Sequence, residues 1–367
     1  MRNFCQVWAE PVMISALWMA LMGCSTPEAP VSERLAPEGH WTIAIHGGAG
    51  HFAEENLSPD MQAAYRDRLD AALRLGEDSL QAGSRAVDVV EWVIRQLEDD
   101  SLFNAGRGAV YTADGVHELD ASIADGAMRN CGAITGLRGF RHPISVARQV
   151  MDSSEHVFFS GHGAAQFAGL MQAERAHEEW FRTEKALARF LRADSLAQGQ
   201  LPEVTSTVSI KPMDKNGTVG CVVLDTHGHL AAGTSTGGMT YKKHGRIGDS
   251  PVIGAGTWAD DRTCAVSATG WGEYFIRAGV AQDIHGRMLH GGESLVTACE
   301  GAVFDEMGAL GGDGGVVAVD ARGNVALVFN SKGMFRAWAG PNEREVAMFG
   351  FSESGTIEQH QTRNTNE

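Results

Sequence analysis

The stretch Asp214-Lys215-Asn216-Gly217-Thr218-Val219-Gly220-Cys221-Val222-Val223-Leu224 changes character at its centre. Before it, residues 197–217 are polar and linker-like, with Gln198-Gly199-Gln200 among them. From Val219 onward the chain is apolar and β-branched. Val219 to Leu224 and Leu230 to Thr234 flank Asp225-Thr226-His227-Gly228, which reads as two strands joined by a turn. The pattern returns where Val316 to Val319 and Val325 to Phe329 flank Asp320-Ala321-Arg322-Gly323. Between these hairpins the spacing predicts a strand, Cys264 to Ala268, and two helices, about Glu273 to Leu289 and Glu293 to Glu306.

Upstream, Trp41 to Ile45 alternates as a strand and runs into His46-Gly47-Gly48-Ala49-Gly50. Ser58-Pro59 starts a helix over Asp60 to Leu80, with Met61, Tyr65, Leu69 and Leu73 on one face. Ser84 caps a second helix through Leu97, and residues 100–140 read as glycine-rich loop and short strand. Further helices are predicted at about Ile144 to Met151, Ala164 to Gln172 and Thr183 to Leu196. Hairpins with separate pairs of helices imply antiparallel sheet in a layered α+β fold, not a doubly wound α/β sheet.

The 367 residues are 43% hydrophobic and 21% charged, which suits a globular chain with a large core. The formal net charge of -16 is spread along the sequence with no basic run, so the chain would repel phosphate backbones and nucleic acid is not an expected partner. At the start, Arg2 precedes the apolar stretch Val12 to Met22, too short to span a bilayer, which ends in Leu21-Met22-Gly23-Cys24. Glu10 is irregular there. The stretch resembles a bacterial lipoprotein signal peptide over residues 1–23. On that resemblance Cys24 is lipidated and residues 24–40, rich in Pro and Glu, tether the protein to a membrane of the cell envelope, facing the periplasm. Cys131, Cys221, Cys264 and Cys299 are scattered, so neither a zinc site nor a disulfide framework is expected. Residues 351–367 form a polar tail.

Thr218 alone says little, because threonine is common at the start of a strand. Its context says more. Ile43-Ala-Ile-His-Gly-Gly-Ala-Gly50, Leu102-Phe-Asn-Ala-Gly-Arg-Gly-Ala109, His117-Glu-Leu-Asp-Ala-Ser-Ile123 and Gly217-Thr-Val-Gly220 occur in that order. They are followed by Thr234-Ser-Thr-Gly-Gly-Met-Thr240, Gly245-Arg-Ile-Gly-Asp-Ser-Pro251 and Ala268-Thr-Gly-Trp-Gly-Glu273. Together these motifs resemble the plant-type, threonine-nucleophile family of L-asparaginases and isoaspartyl peptidases.

The resemblance implies a four-layer αββα sandwich of the N-terminal-nucleophile hydrolase type over residues 41–350. It implies self-cleavage between Gly217 and Thr218 into an α chain ending at 217 and a β chain starting at 218, and a dimer of such αβ units. Thr218 becomes the nucleophile, with its own freed α-amine as base, near an ordinary pKa of about 8. Thr236 assists it, and Thr269 with the N–H of Gly270 forms the oxyanion hole. Arg246 and Asp249 hold the substrate's α-carboxylate and α-ammonium, with Ile247, Gly248, Trp271 and Gly272 around them. Asn104 and the His46 glycine loop support self-cleavage, His46 as a hydrogen-bonded structural histidine. The backbone carbonyls of Leu97, Glu98, Asp100, Phe103, Ala105 and Arg107 match a loop that holds a structural sodium in relatives, and no cofactor is expected for catalysis. The implied substrates are L-asparagine and β-aspartyl dipeptides.

Trp271 stands where smaller residues are common in such proteins and narrows the pocket, while Tyr241, Lys243 and His244 fall in a variable stretch. Gly48-x-Gly50-x-x-Ala53 imitates a dinucleotide fingerprint, but Pro59 delays the helix and no ribose-binding acid follows. A glycosylasparaginase would favour aspartate where this chain has Gly217. A non-catalytic lipoprotein scaffold would not need Thr218, Thr236, Arg246, Asp249 and Thr269 together.

Overall fold

The computed structural model describes residues 39–50, 54, 57–199 and 217–350. The signal-peptide, lipidation and tether expectations (apart from residues 39 and 40), the polar tail and most of the linker lie outside the described residues. The first half holds β1 (Thr42–Gly50), α1 (Pro59–Gln81), α2 (Ala86–Glu98), β2 (Leu119–Asp125), β3 (Asn130–Leu137) and α3 (Pro143–Ser153). It continues with β4 (Phe158–Ser160), α4 (Gly161–Leu170), α5 (Glu178–Phe181) and α6 (Glu184–Ala197). After the linker come β5 (Val219–Leu224), β6 (Leu230–Thr236), β7 (Thr257–Ala259), β8 (Cys264–Gly270), α7 (Gly272–Ala278), α8 (Val280–Gly291) and α9 (Leu295–Glu300). Four strands close the chain: β9 (Gly314–Asp320), β10 (Val325–Phe329), β11 (Gly333–Ala339) and β12 (Arg344–Phe349).

Two sheets form, one of order β12-β11-β1-β5-β6-β2-β3-β4 and one of order β10-β9-β8-β7. Strand alternation assigns the layers. Val219, Cys221 and Val223 of β5 pack into a core with Leu69, Leu73, Val90 and Ile94 of α1 and α2. Val222 and Leu224, on the opposite face, meet Ala265, Val317 and Val319 of the smaller sheet. The outer face of that sheet, with Val266 and Val316, is covered by Ile284, Leu295 and Val303. The result is the α+β sandwich of four layers, helix, sheet, sheet and helix.

Several expectations are corrected. The glycine run after Ile45 is not loop. Strand β1 continues through Gly50 with a bulge between His46 and Gly48, because β11 pairs with it along this length. Residues 100–140 hold two full strands, β2 and β3. The expected helix at 273–289 breaks at Gly279, which takes φ +60 and separates α7 from α8. The next helix starts later, where the Ser294 hydroxyl caps it by accepting the Thr297 N–H at 3.2 Å, and it ends as a π-helical turn, Gly301–Met307. Strands β4, β7, β11 and β12 carry no pattern that the sequence reading recognises.

Candidate active site

Thr218 sits where β5 begins, beside β6, and its hydroxyl donates to Thr236 Oγ1 at 3.1 Å. Thr236 in turn accepts the Gly238 N–H at 3.0 Å, which fixes the turn leaving β6. Gly217 has φ +138, a conformation that disfavours any side chain. A Cβ there would run into the Asn104 backbone and Cβ, and a Cβ on Gly48 would run into Gly217. The Gly217 carbonyl, on the bond predicted to be cut, accepts the Asn104 N–H at 2.8 Å. The Asn104 side chain donates to Gly238 O at 2.7 Å and accepts from Val110 N–H at 3.0 Å. Removing it would cost about 1 kcal/mol for each bond lost.

His46 is fully buried. Its Nδ1 lies 3.1 Å from Thr218 O and its Nε2 2.9 Å from Ser267 Oγ. A carbonyl can only accept, so Nδ1 carries the proton and Ser267 donates to Nε2. Burial pulls the imidazole down to about 3, so it stays neutral at working pH. That makes it a strut holding the Thr218 carbonyl, as the structural reading expected. Ser267 continues into a buried hydroxyl chain through Thr234 (2.7 Å) and Thr257 (2.6 Å) to Ser122 (2.8 Å). None of these four was singled out from the sequence. Ser122 and Thr234 stand in the quoted motifs, and for Ser267 the signal is alternation, since it precedes Thr269 by two positions on β8 and shares its face.

The pocket over Thr218 is walled by Thr236, Gly238, Met239, Arg246, Gly248, Asp249, Ser250, Gly270 and Trp271. Asp249 is buried, and burial pushes its carboxyl up to about 7, against the opposing pull of the Arg246 charge. Its Oδ2 has no hydrogen-bond partner among the described residues. Arg246 is anchored differently from expectation. Its Nε and Nη2 donate to the two Glu273 carboxylate oxygens at 2.8 and 2.7 Å. The side-on edge of the guanidinium is therefore spent on Glu273, and only the end-on pair Nη1 and Nη2 can face a ligand. Glu273 stood in the quoted motif, but its role there was missed.

The remaining expected residues divide. Gly270, with φ +147, and Trp271 line the pocket. Thr269 lies just behind, its hydroxyl accepting the Ala49 N–H at 3.2 Å and keeping its own hydrogen to donate. Gly272 backs Asp249, since a Cβ there would lie 2.7 Å from Asp249 Oδ1. Ile247 was placed at the substrate, but its side chain is 42% exposed and off the pocket wall, because Arg246 and Gly248 on either side turn inward.

The loop after α2 carries the carbonyls expected to hold sodium. Leu97 O accepts the Asp100 N–H at 3.2 Å and Ala105 O the Gly108 N–H at 3.1 Å. A Cβ on Gly106 would strike Glu98 O, and one on Gly108 would strike Phe103 O and lie 2.9 Å from Ser101 O, so the loop packs closely on its own carbonyls. The Asp100 carboxylate turns away to Leu102 N–H (2.8 Å) and Arg68 (2.9 Å), and the Arg107 guanidinium stacks on Trp180. Backbone carbonyls are uncharged hard donors, the kind of ligand a hard cation of low charge takes. The buried Glu98 side chain ties this loop to β6 by accepting the Ser235 hydroxyl at 2.6 Å.

A family model described as asparaginase matches residues 39–348. An isoaspartyl peptidase of Salmonella typhimurium is 48% identical, over 81% of this chain and 94% of its own length. An isoaspartyl peptidase/L-asparaginase of Rattus norvegicus is 35% identical over 86% of this chain and 90% of its own length. A plant-type L-asparaginase of Thermococcus kodakarensis is 37% identical over 81% and 95%. A threonine set at the start of a strand, behind a glycine that admits no side chain and below a pocket with one buried carboxylate, is thus accompanied by similarity along the whole folded region, and the chain belongs to the asparaginase family.

Proposed function

We propose that this chain is an amidohydrolase that matures by cutting itself before Thr218 and then releases aspartate from L-asparagine and β-aspartyl dipeptides. The reading rests above all on Thr218, whose hydroxyl is 3.1 Å from Thr236 while the carbonyl beside it is polarised by the Asn104 N–H. In maturation Thr218 Oγ1 bonds to the Gly217 carbonyl carbon, the C–N bond breaks, and the nitrogen takes the hydroxyl proton. Water then hydrolyses the ester, leaving a Gly217 carboxylate and a free Thr218 amine. The Asn104 N–H stabilises the oxygen that becomes negative on the way.

In turnover that amine takes the Thr218 hydroxyl proton as the oxygen attacks the substrate's side-chain carbonyl. Thr269 and the Gly270 N–H stabilise the resulting oxyanion, and the amine's proton goes to the departing ammonia or peptide nitrogen. Water releases aspartate by the same path. Asp249 and the end-on face of Arg246 hold the aspartyl α-ammonium and α-carboxylate. The oxygens of the 97–107 loop would hold a sodium ion that stiffens the segment carrying Asn104, and the ion takes no part in the chemistry.

The deciding experiment is N-terminal sequencing of the purified protein's smaller fragment, which should begin Thr-Val-Gly-Cys-Val. Thr218→Ala should remain one uncut, inactive chain. An active enzyme in one piece would exclude the mechanism. In the same cells, placement in the envelope through a lipidated Cys24 predicts that Cys24→Ser leaves the membrane fraction; wild-type protein in the cytosol would refute it. A dimer of cleaved units is part of the proposal and is read from sedimentation mass.

A further inference from the structure

Lysine is seldom buried, because its ammonium loses several kcal/mol of hydration inside a protein. Lys242 is nonetheless only 6% exposed, and it is not among the residues that wall the pocket. Its Nζ lies 3.5 Å from Asp120 Oδ2 and 3.7 Å from Glu118 Oε2, and it donates to Glu118 O at 3.4 Å. Asp120 is buried as well and firmly held, its Oδ1 accepting the Thr135 hydroxyl at 2.6 Å and the Gly136 N–H at 2.8 Å. On β2 it pairs with Thr236 of β6. The Lys242 side chain thus reaches β2, and on its way it passes Gly238. A Cβ on Gly238, whose φ is +80, would lie 3.1 Å from Lys242 Cδ and 3.2 Å from Nζ.

Both polar groups of Gly238 are engaged at the reacting centre. Its N–H donates to Thr236 Oγ1 at 3.0 Å, and its carbonyl accepts the Asn104 side chain at 2.7 Å. Thr236 is the partner of the Thr218 hydroxyl, and the Asn104 N–H holds the Gly217 carbonyl. One glycine therefore sets the aim of two groups that flank the bond to be cut. The pair Gly237-Gly238 has little conformational preference of its own, so its shape must be imposed by what packs on it.

We propose that Lys242, anchored on Asp120, is a positioning residue for the nucleophile. Its stem holds the Gly238 turn, and through that turn it aligns Thr236 with Thr218 Oγ1 and Asn104 with the Gly217 carbonyl. The inference rests on the self-cleaving mechanism proposed above and adds a residue to it. Because the same turn serves both steps, Lys242 governs maturation and turnover together. Substrate binding is a separate matter, since Arg246 has its own anchor in the fork to Glu273. Losing the brace should therefore lower kcat and leave KM nearly unchanged, the sign of an interaction that acts in the transition state.

The test uses Lys242→Met, which keeps the stem and removes the charge, and Asp120→Asn, which keeps the shape and removes the anchor. The half-time of self-cleavage is read in pulse-labelled chains. Turnover of β-aspartyl-leucine is expressed per mole of free Thr218 N-terminus, so that an uncut or unfolded fraction does not count as slow enzyme. Both variants should lengthen the half-time and lower kcat by about tenfold or more, the scale of a small misplacement at a reacting centre, with KM within about twofold. A lysine that only stabilises the fold would lower the thermal midpoint while half-time and kcat per cleaved site stay within about twofold of wild type, and that result overturns the inference. A raised KM with kcat intact overturns it too. Where Lys242→Met yields no folded protein, Asp120→Asn decides by the same readings. A wild-type chain that is active yet uncut overturns the proposed mechanism and this inference with it, whereas a cut wild type with unaffected variants overturns this inference alone.

Discussion

At the scale of single residues, the proton inventory of the pocket makes a quantitative demand. Asp249 has its carboxyl pushed up to about 7 by burial, so near neutral pH it is only partly ionised before substrate arrives. It must be ionised to attract an α-ammonium. The Thr218 amine must be unprotonated to act as base, and its ordinary value is about 8. Lowering pH through this window therefore removes two needed states from the free enzyme. Once substrate is bound, its ammonium holds Asp249 ionised, and only the Thr218 amine still titrates. The logarithm of kcat/KM should fall with a slope approaching two below about pH 7, and that of kcat with a slope of one. Asp249→Asn should lower kcat/KM by roughly 100-fold, the usual scale for a desolvated charge pair losing one partner, and should reduce its slope to one. A wild-type slope of one in both profiles would mean that Asp249 is ionised throughout this window, and unchanged kcat/KM in Asp249→Asn would exclude it as the ammonium site. Thr218, Thr236 and Asp249 all stand in the quoted motifs, and the fold brings them to one pocket. For His46 the sequence implies a hydrogen-bonded structural histidine but not its partners, because they lie 172 and 221 positions away and no local pattern marks a hydrogen bond across two sheets.

Among the elements, what could be read depended on which physical signal each carries. The hairpins β5–β6 and β9–β10 have apolar residues on both faces and a turn between, and both were found. Strand β2 reads Leu-Asp-Ala-Ser-Ile-Ala-Asp, and Leu119, Ala121 and Ile123 join the helix-side core. Its opposite face carries Asp120 and Ser122, buried but polar. Hydropathy takes such a face for solvent-exposed surface, which is why the segment was read as loop. The glycine half of β1 failed for a related reason, as its missing side chains make room for Phe103 and Gly217. The carbonyl loop after α2 yields a prediction at this scale. If it holds sodium, the ion stabilises the fold by mass action, by about 2.7 kcal/mol at a hundredfold excess over its dissociation constant. That corresponds to a shift of a few degrees for a domain of this size. The thermal midpoint should be higher in sodium chloride than in choline chloride at equal ionic strength, and equal midpoints would rule the ion out.

For the whole molecule, the order of strands decides what self-cleavage can and cannot do. A cut before Thr218 leaves β1 to β4 on one polypeptide and β5 to β12 on the other. In the large sheet β1 lies between β11 and β5, and β2 lies against β6, so strands of the two fragments interleave at three seams. These seams pair seven residues of β1 with β11, five of β1 with β5, and six of β2 with β6. The core between the sheets is shared as well, with Ala44 and Ala124 from one fragment packed among Val222, Val317 and Trp338 from the other. Neither fragment can keep its half of the sheet alone, because separation would expose unpaired strand edges and apolar faces together. Cys131, Cys221, Cys264 and Cys299 are all free thiols, so no disulfide joins the described parts of the fragments. Cleavage should therefore free an amine without loosening the fold. The matured protein should elute as one species with or without reductant and run as two bands on a denaturing gel. In a urea titration the fragments should part at the same concentration at which far-UV circular dichroism collapses. Fragments that separate while the spectrum stays intact would mean that the strands do not interleave as described.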